Sequence, residues 1–161
     1  MTFDVRAYRT ALGSFPTGVA VVTTAASAEH HLGITVNSFT SVSLDPPLVL
    51  WCVDKKSDRY HAFTKAASYT VSILGTDHRE VSTRLAKPGN HSLERIALKP
   101  TQLGPPALAD ALAVFECRSE AVHQAGDHAI LIGRVVRFSC HEAGAPLVFY
   151  RGKYGALAQT S

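Results

Sequence analysis

The densest run of side chains able to meet a flat, hydrogen-bonding ligand is Gly33-Ile34-Thr35-Val36-Asn37-Ser38-Phe39-Thr40-Ser41-Val42-Ser43, which leads into Asp45-Pro46-Pro47. Hydroxyls, an amide and backbone N–H groups on a strand-to-loop edge suit a heterocycle with imide-like donors and acceptors, or a phosphate. A polar edge strand with a Ser/Thr-rich turn has the same composition, so on residue types alone both readings stand. Gly126-Asp127-His128 is the second candidate. Gly and Asp make a hairpin turn without any function, and a histidine opening a strand is more often structural than catalytic.

Several other chemistries are excluded. No two glycines fall as G-x-G, so the dinucleotide fingerprint and the kinase-type glycine loop are missing. Gly152-Lys153 is followed by Tyr154, which rules out a Walker A loop, and His141-Glu142 has Ala145 where a zinc-protease helix needs its second histidine. There is no C-x-x-C and no G-x-S-x-G elbow, and the eight histidines share no metal-ligand spacing. No metal is expected.

Composition narrows the class further. The chain has 161 residues, 46% apolar and 18% charged, about one domain's worth of a core-forming sequence. A single domain over residues 1–161 is expected. The net charge of +3 comes from scattered Lys and Arg, which favours an anionic small ligand over a nucleic-acid groove. No apolar run reaches the roughly 18 residues of a membrane span, and the charged N-terminus does not read as a signal peptide. Cys52, Cys117 and Cys140 are far apart and set in apolar runs, as expected of buried thiols in a reducing cytoplasm.

The elements that must position these residues are mostly strands. Asp4 can cap a short helix with Tyr8, Ala11, Leu12 and Phe15 on one apolar face. Strands are expected at 19–24, 32–39, 48–53 and 69–74, by their β-branched and apolar content. Between the last two, Ser57 and Asp58 open a helix with Tyr60, Phe63 and Ala67 facing inward. Asp77 with Glu80 reads as a capping box for another helix, which buries Val81 and Leu85 and is stopped by Pro88-Gly89. Residues 90–110 read as a surface excursion. Phe115, Cys117, Ser119 and Ala121 alternate with Glu116, Arg118 and Glu120 in half-buried strand spacing. The turn at 125–127 leads into a strand over 129–140, and Gly144-Ala145-Pro146 turns into 147–150. Short-looped strands with few helices favour an antiparallel barrel with peripheral helices over a βαβ sheet.

Taken together, these segments resemble the short-chain flavin reductase family, the reductase components of two-component flavin-dependent monooxygenases. The resemblance rests on Phe15-Pro16-Thr17-Gly18-Val19 and the strand after it, on Gly33 through Ser43 with Pro46-Pro47, on Gly126-Asp127-His128 followed by Gly133-Arg134-Val135, and on Pro146-Leu147 with Tyr150-Arg151-Gly152-Lys153-Tyr154. In order and spacing these cover the chain from Tyr8 to Leu157. It departs from the family pattern at Leu85-Ala86, where phenylalanine-alanine is common, and at residues 91–95, where an aspartate-basic-phenylalanine step is common.

The resemblance implies a mainly β, Greek-key antiparallel split β-barrel with a few short helices, working as a homodimer. The implied activity is NAD(P)H:flavin oxidoreductase, passing a hydride from NADH or NADPH to FMN or FAD and supplying reduced flavin to a partner monooxygenase. Thr35, Val36, Asn37 and Ser38 would line the flavin ring, with Thr17 nearby, and Ser41, Val42 and Ser43 would follow the ribityl chain. Lys55, Ser57 and Arg59 would meet the phosphate. His128 and Tyr154 would face the nicotinamide, His128 orienting it. No residue is required as a dedicated acid or base, because the cofactors carry the chemistry. A non-enzymatic flavin-binding or electron-buffering protein, and an oxidase of the pyridoxamine-phosphate oxidase type, are the alternatives on the same barrel.

Overall fold

A computed structural model describes residues 3–27 and 30–158. It begins with helix α1 (Val5–Leu12). Asp4 starts the helix as expected, its carboxylate accepting from the Arg6 and Ala7 N–H groups at 2.9 and 3.1 Å. An apolar helix face normally marks the core side, yet α1 has no buried residue, and Leu12 and Phe15 are 56% and 75% exposed. The helix meets the body at its C-terminal end, where the Gly13 carbonyl accepts from the Arg151 N–H at 3.0 Å.

Strands β1 (Thr17–Gly18), β2 (Ala20–Ala25), β3 (His31–Val36), β4 (Thr40–Leu44) and β5 (Pro47–Asp54) follow. After them come α2 (Tyr60–Thr64), β6 (Ser68–Ile73), α3 (Arg79–Leu85), β7 (Leu98–Lys99) and β8 (Ala107–Leu108). The chain finishes with β9 (Ala113–Ala125), β10 (His128–Cys140), β11 (Val148–Tyr150) and β12 (Lys153–Gly155). The main sheet has seven strands in the order β3-β2-β6-β9-β10-β5-β4, with β1-β11-β12 as a smaller sheet and β7-β8 as a pair. Every pairing is antiparallel. The protein is therefore mainly β with a few short helices, as expected.

Strand alternation places apolar residues on both faces of the sheet. Ala20 and Val22 join a cluster around Trp51, Phe63, Tyr69 and Leu131, while Val19 and Val21 join another with Leu74, Leu85, Leu108 and Leu147. A strand buried on both sides reads as a continuous apolar run, which is why β2 was legible.

Several expectations are corrected. Residues 90–104 run over the surface as expected, Leu93 apart, but Pro105 through Leu108 are buried. The hydroxyls of Thr23 and Thr70 donate to the Pro106 and Pro105 carbonyls at 2.6 and 2.7 Å, and Ser72 Oγ accepts from the Leu108 N–H at 3.1 Å. Glu116 does not alternate outward but is 6% exposed. It shares a face with Thr70, its partner on β6, and residues 101–106 cover that face, so its carboxylate accepts from the Gln102 and Leu103 N–H groups. Cys140 is exposed at the end of β10 and Cys52 is half-buried, whereas burial pushes the Cys117 thiol up to about 12.

The helix starts also differ. Instead of an Asp77 cap, His78 Nδ1 accepts from the Gly75 N–H at 3.2 Å and Nε2 reaches the Ala109 carbonyl at 3.1 Å. That pattern puts the proton on Nε2. Helix α2 begins at Tyr60, later than Ser57, and of its expected inward residues only Phe63 is buried.

Gly133 is the tightest point of the core. A Cβ there would collide with Tyr69 Oη and lie 2.8 Å from Tyr69 Cζ and 2.9 Å from Cys117 Cβ. Gly133→Ala should therefore destabilise the fold by about 1–3 kcal/mol through overpacking. Urea unfolding measures this, and an unchanged midpoint would contradict the packing.

Candidate functional site

Two adjoining cavities open where the ends of β3, β5 and α3 meet. The larger, about 480 Å³, is lined along one side by Thr35, Val36, Asn37 and Ser38, and elsewhere by Cys52, Asp54, Lys56, Ser57, Asp58, Ala86, Pro88 and His128. The smaller, about 140 Å³, is apolar, with Val19, Phe149 and Tyr154 facing Thr35, Val36 and Asn37. Thr35, Val36, Asn37 and Ala86 belong to both. The two are lobes of one cleft, polar and charged at one end and aromatic at the other.

The scaffold engages much of the polar wall. Thr35 Oγ1 donates to the Ser82 carbonyl at 2.8 Å. Ser38 Oγ accepts from the Cys52 N–H at 2.9 Å, replacing a ladder bond between the 37–39 turn and β5. Ser57 Oγ accepts from the Arg59 N–H at 3.2 Å. The Asn37 side chain is exposed and makes no hydrogen bond among the described residues. In the apolar lobe, Tyr154 Oη is 2.7 Å from the buried Ser82 Oγ and its ring packs edge-on against Phe149. Tyr154 therefore presents ring surface to the lobe.

The charged end contains both signs. Asp54 accepts from the Lys56 N–H at 2.8 Å. Asp58 accepts from Arg59 Nε at 3.0 Å and from the Gly89 N–H at 2.8 Å. Burial raises the Asp58 carboxyl, but the Gly89 N–H and the Arg59 guanidinium outweigh it and hold the group below the usual range. His128 Nδ1 lies 2.7 Å from Asp127 Oδ1, a contact that lowers the Asp127 carboxyl.

The expected site residues divide into two groups. The cleft brings together Thr35, Val36, Asn37, Ser38, Ser57, Arg59 and His128, with Tyr154 in the second lobe. Arg59 is 3% exposed, and its guanidinium donates to three backbone carbonyls besides Asp58, so it is not free to meet a phosphate. Lys55 lies outside the cleft, its Nζ donating to the Gly126 carbonyl at 2.6 Å, and Lys56 is the lysine that lines it. Thr17 and the β4 residues Ser41, Val42 and Ser43 line neither lobe. Sequence reasoning missed Lys56, Asp54, Asp58 and Pro88. Lys56 differs from Lys55 only by its side of a turn, which residue type does not reveal.

The donor set fits a flat fused heterocycle with an anionic tail. One lobe is apolar and aromatic, the shared wall offers backbone and amide groups, and the far end holds a lysine and a hydroxyl.

Comparison with known proteins gives consistent results. Residues 12–158 match the family model described as flavin reductase like domain. The chain is 44% identical over 154 residues to the FMN reductase (NADH) SmoA of Agrobacterium fabrum, covering 96% of this chain and 87% of that one. It is 41% identical to the reductase component of the flavin-dependent trigonelline monooxygenase of Acinetobacter baylyi, covering 98% of this chain and 50% of that longer protein. The Streptomyces globisporus NADH:FAD oxidoreductase SgcE6, solved in complex with NAD and FAD fragments, superposes with a TM-score of 0.90 at 32% identity, over 98% of this chain and 97% of that one.

Ser38→Ala would strand the Cys52 N–H at the cleft wall, at a cost of about 1–3 kcal/mol. The expected result is a lowered urea midpoint with an unchanged slope. An unaltered midpoint would show that Ser38 does not hold the turn.

Proposed function

The chain belongs to the flavin reductase like domain family, and on that premise we propose that it is an NAD(P)H:flavin oxidoreductase whose flavin occupies the two-lobed cleft. The observation that carries this is the continuous wall of Thr35, Val36 and Asn37 shared by an apolar and a polar lobe. A flavin held along this wall would supply the redox chemistry, as acceptor of a hydride from the reduced nicotinamide.

The chain's own residues bind, orient and exclude. Asn37 offers an unengaged amide to the imide edge of the ring, and backbone groups at 35–37 complete that edge. Lys56 and Ser57 meet the phosphate in place of Lys55 and Arg59. Tyr154 and Phe149 close the apolar lobe against water. His128, oriented by Asp127, positions the nicotinamide over the ring. Alignment of this kind accounts for on the order of 7–11 kcal/mol of barrier when two reactants are well oriented, and no side chain has to move a proton. NADH is the expected donor, with FMN or FAD as acceptor.

Reduced flavin then leaves for a flavin-dependent monooxygenase. The protein works in the cytoplasm as a homodimer. Val42, Leu44, Val136 and Phe138, at one end of the main sheet, are 47%, 94%, 46% and 70% exposed, which supports a second copy covering them. Ser41, Val42 and Ser43 share that strand, so their proposed flavin contact depends on the assembly.

The function is tested by following absorbance of reduced nicotinamide with purified protein, NADH or NADPH, and added FMN or FAD. Flavin-dependent decay is expected; flavin binding without turnover would select the electron-buffer alternative. His128→Ala should raise the KM for the nicotinamide about tenfold, some 1.4 kcal/mol of lost binding, while FMN affinity holds. An unchanged KM would remove His128 from the site.

A further inference from the structure

We propose that Asp58 and Arg59 are the positioning pair of the cleft, holding residues 86–89 as its outer wall and setting flavin affinity through that wall. This rests on the flavin reading above.

The wall is a short turn held locally by backbone bonds from the Ala86, Lys87 and Asn90 N–H groups to the Ser82, Arg84 and Lys87 carbonyls. Helix α3 ends at Leu85, where the last carbonyls of a helix lack intrahelical partners. The chain then turns through Ala86 and Pro88, the two wall residues, to Gly89 at φ +77°. The Arg59 guanidinium adds the bonds that tie this turn to the rest of the cleft. Nη1 donates to Leu85 at 2.6 Å and Nη2 to Lys87 at 2.8 Å, while Nη1 also reaches the Gly33 carbonyl on β3 at 3.2 Å. Asp58 completes the clamp from the far side of the turn, one oxygen on Arg59 Nε and the other on the Gly89 N–H. One dipeptide thus joins the wall at 86–89 to β3, the strand that leads into the facing wall at 35–38.

Arginine is required for this. A planar fork can serve three carbonyls and a carboxylate together, and an ammonium at the same position is a point charge on a flexible stem. Gly33 makes the arrangement compact. A Cβ there would lie 2.8 Å from Leu93 Cδ2 and 3.2 Å from Leu85 Cδ1, so β3 and the end of α3 approach as closely as a glycine allows.

The test uses the full chain with Arg59→Lys and Asp58→Asn, the latter at a side chain 38% exposed and therefore the variant that keeps the fold if Arg59→Lys does not. FMN affinity is read by fluorescence quenching, and steady-state kinetics separate the flavin KM from kcat. Amide exchange at Gly89 is followed in flavin-free protein. The expected result is about a tenfold weaker FMN Kd and a raised flavin KM with kcat held, the signature of lost binding, together with faster Gly89 exchange. Gly133→Ala, in the core, is the control for general loosening and should leave the FMN Kd near that of the parent. Equal Kd values in folded variants and parent overturn the wall role, and so does a loss that Gly133→Ala reproduces. Absence of FMN binding by the unchanged chain overturns the flavin reading itself, and the proposal with it.

Discussion

Tyr69 occupies the space that any side chain at position 133 would need, and the rest of the sheet is arranged around that contact. Its ring meets Trp51 edge-on with centroids 5.7 Å apart, and Trp51 meets Phe63 in the same way at 5.0 Å. Three strands and one helix are fixed in depth by those rings: β5 through Trp51, β6 through Tyr69, β10 through Gly133 and α2 through Phe63. Aromatic pairs of this geometry add about 0.5–1.5 kcal/mol each beyond the area they bury. The functional consequence follows from strand alternation. With Trp51 and Val53 locked inward, Cys52 turns to the opposite face and Asp54 ends the strand beside His128, both in the cleft.

The cleft couples chemistry to scaffold by using most of its hydroxyls twice over. Thr35, Ser38 and Ser57 each line the wall while bonding to backbone elsewhere, so the wall is rigid and its remaining recognition falls to backbone groups, Asn37 and Lys56. A buried cation such as Arg59 is costly unless its donors are met. Here Asp58 neutralises it and three carbonyls solvate it. The acids at the charged end are likewise engaged, Asp54 and Asp58 by backbone N–H groups, and Lys56, which also interacts with Asp127, is the lysine lining the cleft toward an anionic tail.

Local signals were the legible ones. Asp4 announced α1, β-branched runs announced β2, β5 and β6, and Gly126-Asp127 announced the turn between the two longest strands. The segment from Gly33 to Ser38 was legible as a ligand wall because its residue types are unusual beside core strands. What could not be read depends on partners distant in sequence. The carbonyl acceptors of Arg59 lie 26 to 28 residues away, on both sides of it. Strand β4 separates from β3 because Ser38 is pinned by Cys52, and residues 105–108 are drawn inward by hydroxyls on β2 and β6. Neither contact has a local signature. The burial of Glu116 follows from residues 101–106, which cover the face of the sheet it shares with Thr70.

Helix α1 is attached differently from everything else. Its eight residues are fewer than the roughly 12–15 that an isolated helix needs to persist in water, and none is buried. Its order comes from a cap at one end and a single backbone bond to the Arg151 turn at the other. The free energy separating coil from helix is therefore small in this segment, and an outside surface that covers Tyr8, Leu12 and Phe15 would supply the missing stabilisation. The N-terminus is in this sense a conditional element, with a helical content that tracks protein concentration or partner occupancy more closely than it tracks the stability of the barrel.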